Sequence, residues 1–176
     1  MNYPYDYLEA LRYLLGAEGG PSGYSWDPGG HTVFGIAKAY WPEYWVNGPP
    51  TLEDAKRFYL VEFWGPLRLS ALRDQDLRIE IFEASVNCGM RNGVCFAQSA
   101  FNLLRPEKWR ELLVDGVMGP KSVRSLNRMA GRYKDALLAG CNFFQARYYV
   151  NMSDGLKKHA LRGWFSKRLA WPARQR

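Results

Sequence analysis

Residues 77–89 read LRIEIFEASVNCG. Wound as a helix, this stretch places Ile79, Ile81, Phe82, Ala84 and Val86 on all sides. With apolar side chains on every side, it belongs in a core. A helix that is apolar all round must be covered by other elements. The stretch therefore predicts a mainly α protein with a central buried helix over Leu77–Val86, ending near Asn87-Cys88-Gly89.

The flanking sequence supplies the covering helices. Val94 to Leu104 reads as a short partner, and Gly119-Pro120 puts proline where helices begin, ahead of Val123, Leu126 and Met129. Arg132 to Asn151 is the longest helical stretch, and Leu156 to Ala170, with Trp164 and Phe165 as core candidates, is another. On the N-terminal side, Tyr7, Leu8, Leu11, Leu14 and Leu15 recur at helical spacing before Gly19-Gly20, so Glu18 sits at a helix end. Thr51-Leu52-Glu53-Asp54 has the form of a capping box, followed by Ala55, Phe58, Tyr59, Glu62 and Phe63 at helical intervals. Pro21 to Thr32 is dense in Gly, Pro, Ser and Asp and reads as a turn-rich loop or irregular hairpin, after which order resumes from Val33 to Tyr40. Alternation of period two is nearly absent, which leaves room for at most a small hairpin after Glu18.

Composition bounds the chemistry. The chain has 176 residues, 47% of them hydrophobic, which is enough for a proper core without disulfide or metal support. Its 24 Lys and Arg against 17 Asp and Glu give +7 and pI 9.4, which points to a polyanionic partner. Cys88, Cys95 and Cys141 lack C-x-x-C spacing and are expected as buried thiols. With His31 and His159 the only histidines, the zinc ligands of wall amidases and peptidases are missing, and no metal or cofactor is expected. A Cys–His pair remains formally available, although lone cysteines and histidines are usually structural. The N-terminus has no secretory pattern and no apolar run reaches membrane-spanning length, so the chain is expected to be made in the cytoplasm.

Three residues suggest a site. A carboxylate at a helix C-terminus faces the negative end of the macrodipole, a poor place for stability and a good one for an acid that must keep its proton, which makes Glu18 a candidate. Asp27 lies beyond a loop that must turn back, so two carboxylates can face one cleft as glycoside hydrolysis requires, although Asp before Pro-Gly is also ordinary turn chemistry. Thr32 is either a water-holding hydroxyl or a strand residue. Among the seven tryptophans, Trp26 beside Asp27 is the best sugar-stacking candidate, while Trp41, Trp45 and Trp64 near loops are undecided. Asp115-Gly116 and Gly119-Pro120 explain themselves as a turn and a helix start.

The segment EGG at 18–20 followed by DPGGHTVFGI at 27–36 resembles the E-G-G … D-P-G-G-x-T-x-x-G-I signature of the endolysin-type N-acetylmuramidases, glycoside hydrolase family 108. IFEASVNCGM at 81–90 is similar to the family's F-D-x-A-V-N-x-G, with Glu83 where Asp is more usual and Asn87 matching. AQSAFNLL, VDGVMGPKSV, FFQARYY and RGWFSKR resemble the accompanying peptidoglycan-binding segment, so the resemblance runs from about residue 10 to 170. It departs from the family in the loop after Gly20, where Pro21 and Tyr24 stand in place of an early Tyr and an additional Asp.

The resemblance implies one lysozyme-like α domain over 1–176, with a catalytic part at 10–90 and a helical part at 91–172. It implies cleavage of the β-1,4 bond between N-acetylmuramic acid and N-acetylglucosamine, leading to bacterial lysis. Glu18 would be the acid, while Asp27 would steady charge or orient water with help from Thr32. Trp26, Gly30, His31, Glu83 and Asn87 would contact substrate. A lytic transglycosylase and a non-catalytic wall-binding protein are the alternatives. The expected partner of this monomer is the peptidoglycan glycan strand, together with anionic outer-membrane or wall polymers rather than nucleic acid. The protein would meet the wall after release from the cytoplasm.

Overall fold

The first helix, α1 (Tyr5–Glu18), buries Tyr7, Ala10, Leu11 and Leu14 along one face, the stripe anticipated from their spacing. It belongs to a computed structural model that describes residues 3–18 and 31–152. Contacts divide the chain into two units, Met1–Pro66 and Leu67–Arg176.

In the first unit, α1 is followed by a two-stranded antiparallel hairpin, β1 (Thr32–Val33) and β2 (Ile36–Ala37), with Thr32 opposite Ala37 and Val33 opposite Ile36. Phe34 and Gly35 both have positive φ, 51° and 76°, the backbone that a two-residue hairpin needs to match strand twist. The Tyr59 hydroxyl donates to the Phe34 carbonyl at 2.9 Å and lies where a Cβ on Gly35 would project, so glycine is required there on both counts. Helix α2 (Leu52–Tyr59) starts with the expected capping box. The Asp54 N–H donates to Thr51 Oγ1 at 3.2 Å and the Thr51 N–H donates to Asp54 Oδ2 at 2.8 Å. These bonds from Thr51 hold the Asp54 carboxyl below its ordinary value. The helix then widens into a π-helical turn at Leu60–Trp64, closed by the Gly65 N–H on the Leu60 carbonyl at 2.9 Å, where the spacing suggests plain helix through Phe63. Tyr7 ties α1 to this region. Its hydroxyl donates to the Lys56 carbonyl, and its ring meets Trp64 edge-on at 5.4 Å.

The second unit is helical throughout its described part. Helix α3 (Gln75–Cys88) is capped by Asp74, whose Oδ1 accepts from the Leu77 N–H at 2.9 Å, and ends where Gly89 turns to φ 88°. It buries Leu77, Glu80, Ile81, Phe82, Glu83, Ala84 and Ser85 and so is the central helix that its composition requires. Helix α4 (Met90–Leu104) begins four residues before the expected Val94, because Gly89 lets the chain turn straight from one helix into the next. The expected break near Arg132 is present only as Tyr133 (φ −139°, ψ 43°) inside α5 (Pro120–Asn151), which otherwise runs on for 32 residues. Small residues allow close packing of these helices. A Cβ on Gly140 would stand 2.9 Å from that of Ala100, and one on Gly93 2.7 Å from the Ser85 backbone nitrogen. Cys88 and Cys141 are buried as expected, whereas Cys95 is only partly buried. The segment from Leu156 to Ala170, with Trp164 and Phe165, lies outside the described residues. No helix among the described residues is long and apolar enough to cross a membrane.

A buried amide organises the turn between α4 and α5. Gln98 Nε2 donates to Asp115 Oδ1 at 2.9 Å, the Val117 carbonyl at 3.2 Å and Ser122 Oγ at 3.1 Å, while Gln98 Oε1 accepts from the Gly116 N–H at 3.0 Å. Asp115-Gly116 is thus structural, as its turn chemistry implies. Gln98, followed by the Val117 N–H, holds the Asp115 carboxyl below its ordinary value. A carboxyl lowered by folding contributes stability above its unfolded value and loses it as pH falls through the folded one. The stability gap between wild type and Asp115→Asn, read by urea unfolding, should therefore shrink as pH falls from about 5 to about 2. A gap independent of pH would show that the Gln98 contact does not act through the charge.

Candidate active site

Glu18 is the last residue of α1, and no basic residue occupies that helix's last turn. That end of the helix carries the negative pole of the macrodipole, where a carboxylate is least favoured. Asp6 occupies the first turn, where a carboxylate is favoured. Trp26, Asp27 and Gly30 fall outside the described residues.

The chain is described again from His31, where the hairpin sets the backbone. Thr32 opens β1, and the His31 carbonyl accepts from the Lys38 N–H at 3.0 Å, which closes the hairpin's base. Ile36 is fully buried and the turn is pinned by Tyr59, so Thr32 stands on a supported element rather than on a free loop. The exposed His31 ring lies 6.4 Å from Trp45, and Lys38 Nζ lies 5.9 Å from that indole's centre. Trp45 ends a short 3-10 helix, Pro42–Trp45, and its indole N–H has no acceptor among the described residues. Sequence alone leaves Trp45 undecided, since nothing in a short turn signals which distant residue it will meet. Trp64 is core, at 2% exposure, and Trp41 packs edge-on against Phe58 at 4.9 Å.

In the same unit a cleft of about 460 Å³ is lined by Glu43, Tyr44, Asp54, Arg57 and Glu62, among others. The Tyr44 hydroxyl donates to Glu62 Oε1 at 2.8 Å, and burial with that carboxylate pushes its pKa up to about 12. Among the described residues, none of the candidate catalytic or substrate-binding residues lines it.

Glu83 and Asn87 belong to the second unit, one turn apart on α3. Glu83 is 2% exposed, and Asn87 is half-buried with an amide nitrogen that meets no acceptor among the described residues. One turn before Glu83, Glu80 Oε1 accepts from Asn142 Nδ2 at 3.0 Å, which links α3 to α5. Among the described residues no group of His, Cys, Asp and Glu is arranged to hold a metal.

Residues 11–89, which include Glu18, Asp27, Thr32, Glu83 and Asn87, match the family model for glycosyl hydrolase 108. Residues 92–169 match the model described as a predicted peptidoglycan domain. The chain thus carries a region that matches glycosyl hydrolase 108, followed by one that matches a predicted peptidoglycan domain. Together the two matches support a glycoside hydrolase acting on peptidoglycan. No curated protein matches the chain. Its structure is similar to that of Brucella abortus SagA, with TM-score 0.67 and 20% identity over 96% of this chain and 88% of that one, a likeness of fold.

Proposed function

We propose that this protein is a muramidase that hydrolyses the β-1,4 bond between N-acetylmuramic acid and N-acetylglucosamine, with Glu18 as the general acid. The observation that carries this reading is the place of Glu18, inside the glycosyl hydrolase 108 match and at the uncompensated C-terminus of α1. Glu18 protonates the leaving oxygen, and Asp27 stabilises the oxocarbenium-like centre or orients the attacking water. Thr32, held by the pinned hairpin, presents its hydroxyl to that water. Trp26 offers a ring to a sugar face, Gly30 and His31 contact the substrate, and the Trp45 indole, 6.4 Å from the His31 ring, is a further ring for a sugar. Glu83 and Asn87, on α3, are assigned to substrate contact by the family motif alone. In its setting the enzyme is an endolysin: it is made in the cytoplasm, reaches the wall after release and lyses the cell.

The product ends test the reaction. Isolated peptidoglycan digested with the full chain should yield fragments with reducing muramic acid ends by mass spectrometry. Anhydro-muramic ends would make the protein a transglycosylase, and binding without fragments would make it a wall-binding protein.

A further inference from the structure

Two stretches of this protein are strongly basic. Residues 105–135 hold eight basic and four acidic side chains, a net +4, and residues 154–176, beyond the described part, hold seven basic and one acidic. In the first stretch part of the acidity is engaged. Glu111 Oε1 pairs with Arg105, and Asp115 is bonded by Gln98. Asp76, from α3, pairs with Lys134 at 2.8 Å. Lys121, Arg124, Arg128 and Arg132 remain, all exposed and with no ion pair among the described residues. At 100° per residue they fall within about 80° of one another on α5, and Arg124 to Arg132 spans about 12 Å along the axis. They form a ridge one side chain wide.

One arginine on the ridge is already positioned. The Arg128 guanidinium lies 3.9 Å from the centre of the Trp109 ring, which is itself buried and stacked on Phe101. A guanidinium resting over an indole has already given up part of its freedom, so less remains to be lost when its N–H donors engage a phosphate. Lys108 and Arg110, exposed on either side of Trp109 in sequence, add charge beside it.

We propose that this ridge binds a linear phosphodiester polymer of the bacterial wall and holds the enzyme along it while the glycan is cut. A narrow row of cations suits a strand of phosphates, whereas a planar lipid surface would be met by a broad face with exposed apolar side chains among the charges. On α5 as far as residue 142, Tyr133 is the one exposed large hydrophobic residue, whereas Leu113, Val114 and Val117 are exposed in the segment before the helix. The ridge also lies within the predicted peptidoglycan domain, where a tether to wall polymer would serve the hydrolase.

Binding of the full chain to poly(glycerol phosphate) is compared with binding to a single-stranded DNA oligonucleotide and to phosphatidylglycerol–phosphatidylcholine vesicles. The variants are R124Q/R128Q/R132Q and R124Q/R132Q, and the latter keeps the Arg128–Trp109 stack as a guard against misfolding. The polymer should bind best, the triple variant should bind it roughly tenfold or more weakly, and the salt dependence should flatten with each arginine removed. Undiminished polymer binding in folded variants, no binding by wild type at low salt, or tighter binding of DNA or vesicles would overturn the proposal. Cleavage of polymer-free peptidoglycan by wild type, measured alongside, reports separately on the muramidase reading.

Discussion

Glu18→Gln is expected to lower the release of reducing ends from isolated peptidoglycan by roughly 10²- to 10⁴-fold, the share of rate that a positioned general acid supplies. That corresponds to about 3 to 5 kcal/mol of transition-state stabilisation, lost with no change in side-chain size. The same change should leave the fold as stable or slightly more so. Glutamine is as good a helix former as glutamate, and removing a carboxylate from the C-terminus of α1 relieves about 0.3 to 1 kcal/mol of unfavourable interaction with the helix dipole. Activity and urea midpoint should therefore move in opposite directions, a pattern that a misfolded variant does not produce. Turnover within a few-fold of wild type would remove Glu18 from the mechanism. A matching loss of stability would instead mark it as a structural residue.

The second large effect concerns the support of the site. Phe58 is 1% exposed and is met by Trp41 at 4.9 Å, Tyr44 at 5.0 Å, Tyr59 at 4.9 Å and Phe63 at 5.8 Å, all close to edge-on. Edge-to-face rings add to the burial of each ring, so Phe58→Ala removes a large apolar volume and several such contacts together. The expected cost is about 3 to 5 kcal/mol, read in urea through tryptophan fluorescence. Val61→Ala, at a half-exposed position, should cost within about 0.5 kcal/mol. Because Tyr59 both touches Phe58 and holds the hairpin turn, hydrolysis by Phe58→Ala should fail at temperatures where wild type is active. A cost below about 1 kcal/mol would mean that the neighbouring rings close the gap and that Phe58 is not the centre of this cluster.

Much of this fold is legible one residue after another. The capping box at Thr51, the glycine stop at Gly89, the proline start at Pro120 and the all-round burial of α3 depend on groups within a turn or two of each other, and each is present in the structure. The places that differ are those where local signals compete. The stretch through Met129 and the one from Arg132 read as two helices, yet the chain takes one non-helical step at Tyr133 and continues. Leu60–Trp64 keeps helical spacing but forms a π turn, a difference of one hydrogen-bond step that periodicity does not register. For the proposed site, Glu18 and Thr32 can be named from the sequence because a motif carries them. The approach of Trp45 to His31 is not, because it depends on how a hairpin and a 3-10 helix are turned toward each other.

The sequence by itself therefore determined the helical class, the principal helix ends, the hydrolase family and the carboxylate that stands at the end of α1, since periodicity, caps and motifs are local properties. Only the tertiary structure decided which rings enclose Phe58, that Gln98 organises the turn at Asp115, that Tyr59 pins the Phe34-Gly35 hairpin and that Arg128 rests on Trp109. Each of these joins groups from separate parts of the chain, and their meeting is set by how the elements pack, which no pattern within a single element encodes.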